Sequence, residues 1–215
     1  ILKYVNLNGK KILDIGAGIG RLSFPLSKYA KEVVSLDNDK KLKEYFKKYK
    51  KKNVKFVNKK AEDYLRGNKK FDVVLLAWPT FDFKSVGLVK KAMNKNSIFI
   101  FITCDNKSDF ETFIYKLRVD IGDYEKDIKN KIKFIKLLPK KFRLITKKRV
   151  STEYFYPNGK IAFRVLKNDL QLWFNVKLNK KQEERLREVI EKHKVNGKIK
   201  FGEDIWFYLL TKKGV

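Results

Sequence analysis

Five short apolar runs recur through the first hundred residues: KILDI at 11–15, EVVSL at 32–36, VKFV at 54–57, FDVVLLAW at 71–78 and SIFIFIT at 97–103. They are rich in β-branched and aromatic side chains, which favour strands. Between them, residues 20–30, 39–51, 61–66 and 83–93 place apolar side chains at helical spacing. Strands that are apolar on both faces and separated by helices predict a parallel sheet covered on both sides, with right-handed crossovers.

After residue 104 the rhythm changes. Residues 108–119 and 121–138 read as helices, with Pro139 marking a break. FRLITKKRVSTEYFY at 142–156 predicts a long, partly exposed strand. Asn158 is placed to cap a helix carrying Ile161, Val165, Leu166, Leu170, Trp173 and Phe174 on one stripe, and Asn179 to cap KKQEERLREVIEKHK. DIWFYLLTKK at 204–213 predicts a closing strand, the seventh. No repeat or low-complexity linker interrupts the chain, so residues 1–215 read as a single domain.

Charge adds the next constraint: 52 Lys and Arg against 24 Asp and Glu give a net charge of +28. A field of that size concentrates anionic partners. AT-rich codon usage and heat adaptation also supply lysine, although heat adaptation usually enriches glutamate as well. Nucleic acid or another polyanion is therefore the expected partner. The longest apolar runs have strand length, so no membrane span is expected. The single cysteine, Cys104, excludes a disulfide within the chain and fits a reducing cytoplasm. The sequence opens on Ile1, so the natural start is expected upstream.

The most specific stretch is KILDIGAGIGRLSF at 11–24. A strand ending near Asp14 is followed by Gly16, Ala17, Gly18 and Gly20, and then by a helix. Glycine lets the backbone take positive φ and lets a ligand approach where a Cβ would collide. The dinucleotide fingerprint wants its third glycine three places after the second, where Arg21 stands, and the order here is G-x-G-x-G. That argues against an oxidoreductase. No Lys-Ser or Lys-Thr pair follows the glycines, so a P-loop is not supported either. Asp37, at the tip of the second strand, can take both hydroxyls of a ribose.

At these residues the chain resembles the class I S-adenosylmethionine-dependent methyltransferases, over the element order from about 10 to 104 and again in the closing strand. The resemblance implies a doubly wound, mostly parallel seven-stranded sheet of Rossmann-like type with an antiparallel last strand. It implies a cofactor-binding part at about 1–104 and a substrate-shaping part at about 105–215. DIGAGIG matches the family's first motif, so Asp14, Gly16, Ala17, Gly18 and Gly20 shape the cofactor pocket. Asp37, with Asn38 beside it, matches the ribose-binding position. VKFVNKKAEDYL matches the segment framing the adenine and makes Ala61 the backbone contact. The acid that usually precedes that alanine is Lys60 here, so Glu62 or Asp63 would have to substitute. The cofactor implied is S-adenosyl-L-methionine, with no metal.

Methyl transfer from a sulfonium needs an aligned acceptor and, where the acceptor is protonated, a base. Those residues belong at the carboxyl end of the fourth strand, AWPTFDF at 77–83. Trp78, Phe81 and Phe83 offer flat faces for stacking, or rim the core. Pro79 alone keeps register with the Pro-Pro pattern of the amine-directed methyltransferases. Asp82 is the nearest candidate base, or equally a helix N-cap. Thr103 and Cys104 are similar to a Thr-Cys of RNA cytosine-5 methyltransferases, whose fourth-strand Asp-Ala-Pro-Cys is Ala77, Trp78, Pro79 and Thr80 here. A lone cysteine at a strand end also reads simply as a small buried residue. Glu153 and Tyr154, with Trp173 and Phe174, are candidates for an acceptor lid. His193 lies on a lysine-rich helix and is given no role.

Residues 128–152 hold ten Lys or Arg and no acid, interleaved with Phe134, Phe142 and Leu144. This reads either as a solvated face or as a phosphate-binding rim. The eight lysines at 39–52 read as solvation of a helix. The expected function is methyl transfer from S-adenosylmethionine, with RNA as the favoured acceptor on charge. The competing expectation is a non-catalytic nucleic-acid-binding protein on the same scaffold.

Overall fold

The computed structural model describes residues 1–78, 86–104, 109, 113, 116–117, 124–174 and 176–213, without the side chains of 124–128 and 172–174. The first stretch alternates as its pattern requires: β1 (Lys11–Ile15), α1 (Ser23–Leu26), β2 (Glu32–Asp37), α2 (Leu42–Lys48), β3 (Val54–Asn58), α3 (Ala61–Leu65), β4 (Phe71–Ala77), α4 (Val86–Lys91) and β5 (Met93–Cys104). Then come α5 (Tyr124–Lys141), β6 (Phe142–Tyr156), α6 (Gly159–Phe174), α7 (Lys180–Lys192), β7 (Lys194–Val195) and β8 (Lys198–Lys212).

The strands form one sheet in the order β3-β2-β1-β4-β5-β8-β6, with β7 paired to β8. The first five strands are parallel and in tight register, Ile15 beside Leu36 and Leu76, Asp37 beside Asn58, and Ala77 beside Ile102. Their carboxyl ends therefore share one edge, and the C-terminal strands run antiparallel. Ile12, Leu13, Val33, Val74, Leu75 and Phe99 are fully enclosed between the covering layers.

By backbone contacts the chain divides into two compact units. One comprises Ile1–Thr103, Asn130–Lys148 and Phe207–Val215, the other Cys104–Lys129 and Arg149–Trp206. In the first, Phe101 packs on Phe134 of α5 at 4.9 Å and on Tyr208 at 5.6 Å. In the second, Leu166 and Leu170 of α6 meet Leu186 and Ile190 of α7 together with Ile199 and Phe201.

Both predicted caps form. The Asn158 side chain accepts from the Ile161 N–H at 3.0 Å, and Asn179 and Gln182 make a reciprocal capping box. Four expectations are corrected. The sheet has an eighth strand, because Asn196 (φ 50°) and Gly197 (φ 77°) make a two-residue hairpin turn that pairs β7 with the start of β8. β5 begins at Met93 rather than 97; the Ser97 hydroxyl donates to the Phe71 carbonyl at 2.6 Å and accepts from the Asn94 N–H at 2.6 Å, bridging a shift in register. Pro139 lies inside α5, which ends at Lys141, so the missing N–H falls in the final turn. The α-helix expected at 20–30 covers only Ser23–Leu26, after which i to i−3 bonds, Lys28 to Pro25 and Tyr29 to Leu26, tighten the chain. Of the helix expected at 108–119, residues 109, 113, 116 and 117 are described and are helical.

Candidate functional site

The turn after β1 is a run of left-handed glycines, with φ of 70° at Gly16, 53° at Gly18 and 80° at Gly20. The glycines serve two purposes. At Gly16 and Gly18 an added Cβ would meet nothing within 4 Å, so these two leave bare backbone facing open space. At Gly20 a Cβ would stand 2.6 Å from Phe24 and 3.1 Å from Phe46, so this glycine admits the aromatic layer beneath the turn. That layer continues from Phe24 to Phe46 at 5.0 Å and on to Phe56 at 4.7 Å.

Asp37, the last residue of β2, faces this turn. Its Oδ2 accepts the Gly18 N–H at 2.9 Å, its Oδ1 accepts the Asp39 N–H at 3.0 Å, and each oxygen keeps a further lone pair for a ligand hydroxyl. The Gly16 and Ala17 N–H groups donate to the Leu36 carbonyl at 2.8 and 3.0 Å, tying the turn to β2. Gly16 is exposed, Ala17 buried, and Asn38 exposed at the bend beside Asp37.

Asp14 acts from beneath. It is only 2% exposed, and its Oδ2 accepts from the Ser23 hydroxyl at 2.6 Å, which in turn accepts from Ser35 at 2.7 Å. Asp14 and Ser35 are register partners across β1 and β2, so the chain of hydroxyls pins the start of α1 to both strands. Burial, opposed by the Ser23 bond and assisted by the charge of Asp37, lifts the Asp14 carboxyl to about 6.

The segment expected to frame an adenine follows β3. Lys60 is the N-cap of α3, with extended backbone at φ −62° and ψ 142°, and Ala61 and Glu62 are the first two helical residues, both half-buried. Asp63 is engaged with Arg66 at 3.0 Å.

At the end of β4, Trp78 has φ 47°, rare for a residue with a side chain, and its N–H is held by the Ile102 carbonyl at 2.9 Å. The Arg21 guanidinium stacks over its ring at 4.4 Å. Arg21 is exposed and meets no carboxylate among the described residues. The sequence marked Arg21 only as the wrong residue for a dinucleotide turn, and no spacing signal links it to Trp78. Pro79, Asp82, Phe81 and Phe83 lie outside the described residues.

Thr103 is buried and Cys104, half-buried, ends β5. Glu153 pairs with Lys200 at 2.6 Å, and the Tyr154 hydroxyl donates to Glu203. The His193 ring stacks on Phe201 at 4.3 Å, and its Nδ1 faces the Val189 carbonyl at 2.8 Å. Among the described residues no His, Cys, Asp and Glu cluster could hold a metal ion, and no helix is long and apolar enough to cross a membrane.

The glycine turn between the first strand and helix, the carboxylate at the next strand tip and the observed strand order together define a doubly wound sheet whose carboxyl edge carries this turn. Residues 12–95 match the family model of a methyltransferase domain. Over that stretch the chain is similar to the methyltransferase domains, and its sheet has the mostly parallel, Rossmann-like order of methyltransferase folds. The whole fold is shared with a protein of Bacillus halodurans C-125 provisionally assigned as a methyltransferase, at TM-score 0.65 and 14% identity over 99% of this chain and 97% of that one. The YcgJ protein of Bacillus subtilis (TM-score 0.60, 16% identity, 99% and 97% covered) and a protein of Pyrococcus horikoshii OT3 (0.58, 17%, 99% and 85%) share it too. No curated protein matches the sequence.

Proposed function

We propose that this chain binds S-adenosyl-L-methionine at the edge formed by Gly16, Gly18, Asp37, Ala61, Glu62 and Trp78, and transfers its methyl group to a polyanionic acceptor, RNA being the favoured class. The observation that carries the cofactor reading is the Gly18–Asp37 bond beneath open space. Bare backbone and a carboxylate with spare lone pairs stand together where a Cβ at Gly16 or Gly18 would fill the gap. Asp37 takes the ribose hydroxyls, Glu62 the adenine amino group, and Arg21 the carboxylate of the amino-acid part.

When bound, the cofactor supplies a sulfonium methyl: the acceptor's lone pair forms the new bond to carbon, the sulfur–carbon pair stays on sulfur, and any acceptor proton leaves to a base. Asp14 and the Ser23–Ser35 relay hold the glycine turn, and Trp78 with Arg21 supplies a flat wall at the end of β4. Asp82 is the proposed base.

The acceptor reading is supported by charge and exposure. Lys129, Lys133, Lys136, Lys140, Lys141, Arg143, Lys147 and Lys148 are all exposed in the acid-free stretch of α5 and β6. Calorimetry with S-adenosylmethionine, followed by incubation of the protein with labelled cofactor and total RNA, protein or metabolite extract, tests both halves. Failure to bind the cofactor, with Asp37→Ala indistinguishable from the unaltered protein, would leave a non-catalytic nucleic-acid-binding protein instead.

A further inference from the structure

We infer that the groove between α6 and α7 is a docking site for single-stranded nucleic acid, a second contact beyond the cofactor edge; the inference deepens the RNA reading above and rests on it. The groove encloses about 880 Å³ and is lined by Lys160, Phe163, Arg164, Arg187, Ile190 and Glu191, among others. Its geometry follows from the helix hairpin. Leu166, Leu170, Leu186 and Ile190 pack the two helices together, and of these Ile190, with Ile161 and Phe163, also lines the groove.

Two features of the rim point to the ligand. The first is a layered stack, in which the Arg187 guanidinium lies 3.9 Å from the centre of the Phe163 ring while Arg187 itself is exposed. A guanidinium plane backed by an aromatic ring is a platform for an unstacked base. The second is uncompensated charge. Lys160, Arg164 and Arg187 are exposed cations with no carboxylate partner among the described residues, whereas Lys167, on the same helix, is paired with Glu183 at 2.5 Å. Glu191, the acid lining the groove among the described residues, is drawn to Lys194 at 3.3 Å. Three cations around a stacking platform complement a base flanked by phosphates. They suit a duplex poorly, since its bases are already stacked and its grooves are read by shape.

The site lies wholly within one compact unit, so its test does not depend on the cofactor. The full chain is titrated into a fluorescein-labelled oligouridylate ten nucleotides long, and anisotropy is followed at several salt concentrations. Arg164→Ala and Arg187→Ala should each weaken binding about five- to tenfold, and the double variant should lower the slope of log affinity against log salt by about 1.4, near 0.7 for each lost phosphate contact. Phe163→Leu should weaken binding severalfold with the slope unchanged. The charge-matched control Lys51→Ala with Lys52→Ala, at exposed positions after α2, should cost less than about twofold. Groove variants that lose no more than this control, while the unaltered protein binds, overturn the groove and leave the RNA reading standing. No binding by the unaltered protein overturns both, and calorimetry with the cofactor then reports separately on the methyltransferase reading. Equal melting temperatures show that the variants fold.

Discussion

The Arg21 guanidinium lies 4.4 Å from the centre of the Trp78 ring, joining the residue after the glycine turn to the residue after β4. A solvent-accessible contact of this kind contributes about 0.5–1 kcal/mol by itself, too little to explain why Trp78 keeps a positive φ. The pair makes better sense as a charged wall for a ligand. Arg21→Ala should therefore weaken S-adenosylmethionine and S-adenosylhomocysteine about tenfold, the loss of one charge-assisted bond. It should leave methylthioadenosine, which has no amino-acid part, unchanged. Calorimetry with the three compounds checks this, and equal losses for all three would refute it.

Asp37→Ala should lower cofactor affinity about a hundredfold, because it removes the carboxylate that meets the sugar and also frees the Gly18 N–H. Asp37→Asn keeps an acceptor for Gly18 and should retain the melting temperature while still binding weakly. If Asn restored full affinity, the ribose assignment of Asp37 would be wrong.

The glycines should separate by substitution. Gly18→Ala puts a Cβ into open space at a strained φ, at about 1–2 kcal/mol of stability, and should abolish cofactor binding while the protein stays folded. Gly20→Ala drives a Cβ to 2.6 Å from Phe24, and overpacking on top of strain should cost about 2–5 kcal/mol in stability. Thermal melts beside calorimetry would show the split; similar melting temperatures for the two variants would contradict it.

Asp14 gives a pH signature. Its folded-state carboxyl titrates at about 6, above the ordinary 3.8 expected of the unfolded chain. Between these values the folded state binds the extra proton, so the Asp14 contribution to stability falls as pH rises from about 4 to 6 and is constant outside that window. The drop is of the order of 3 kcal/mol. Asp14→Asn still accepts from Ser23 and should flatten this part of the profile, melting higher than the unaltered protein at pH 8. Parallel curves for the two proteins in denaturant titrations from pH 4 to 8 would count against the buried charge.

Much of the chain was legible because its signals are local. Strand runs such as 11–15 and 142–156 match β1 and β6 end for end, and the Asn158 and Asn179 caps sit one residue ahead of the helices they start. The glycine turn and Asp37 could be read for the same reason, since strand, turn and strand tip occur in fixed order. What escaped depends on contacts between residues far apart in sequence. The Ser97–Phe71 bond that lets β5 start early, the Asp14–Ser23–Ser35 relay and the Arg21–Trp78 stack each join residues with no common periodicity. The Asn196–Gly197 hairpin is the exception, a local signal in plain view whose first strand is too short to register as an apolar run.

β6 ends the path of the sheet with fifteen residues, and its Leu144, Ile145, Val150, Tyr154 and Phe155 stand exposed. Arg143, Lys147 and Lys148 are interspersed among them, and their mutual repulsion discourages a second copy from zipping onto the open border. Neutralising these cations to tame the protein's pI would therefore carry a hazard unrelated to any ligand: a long, greasy ribbon without its gatekeepers is a seed for fibrils.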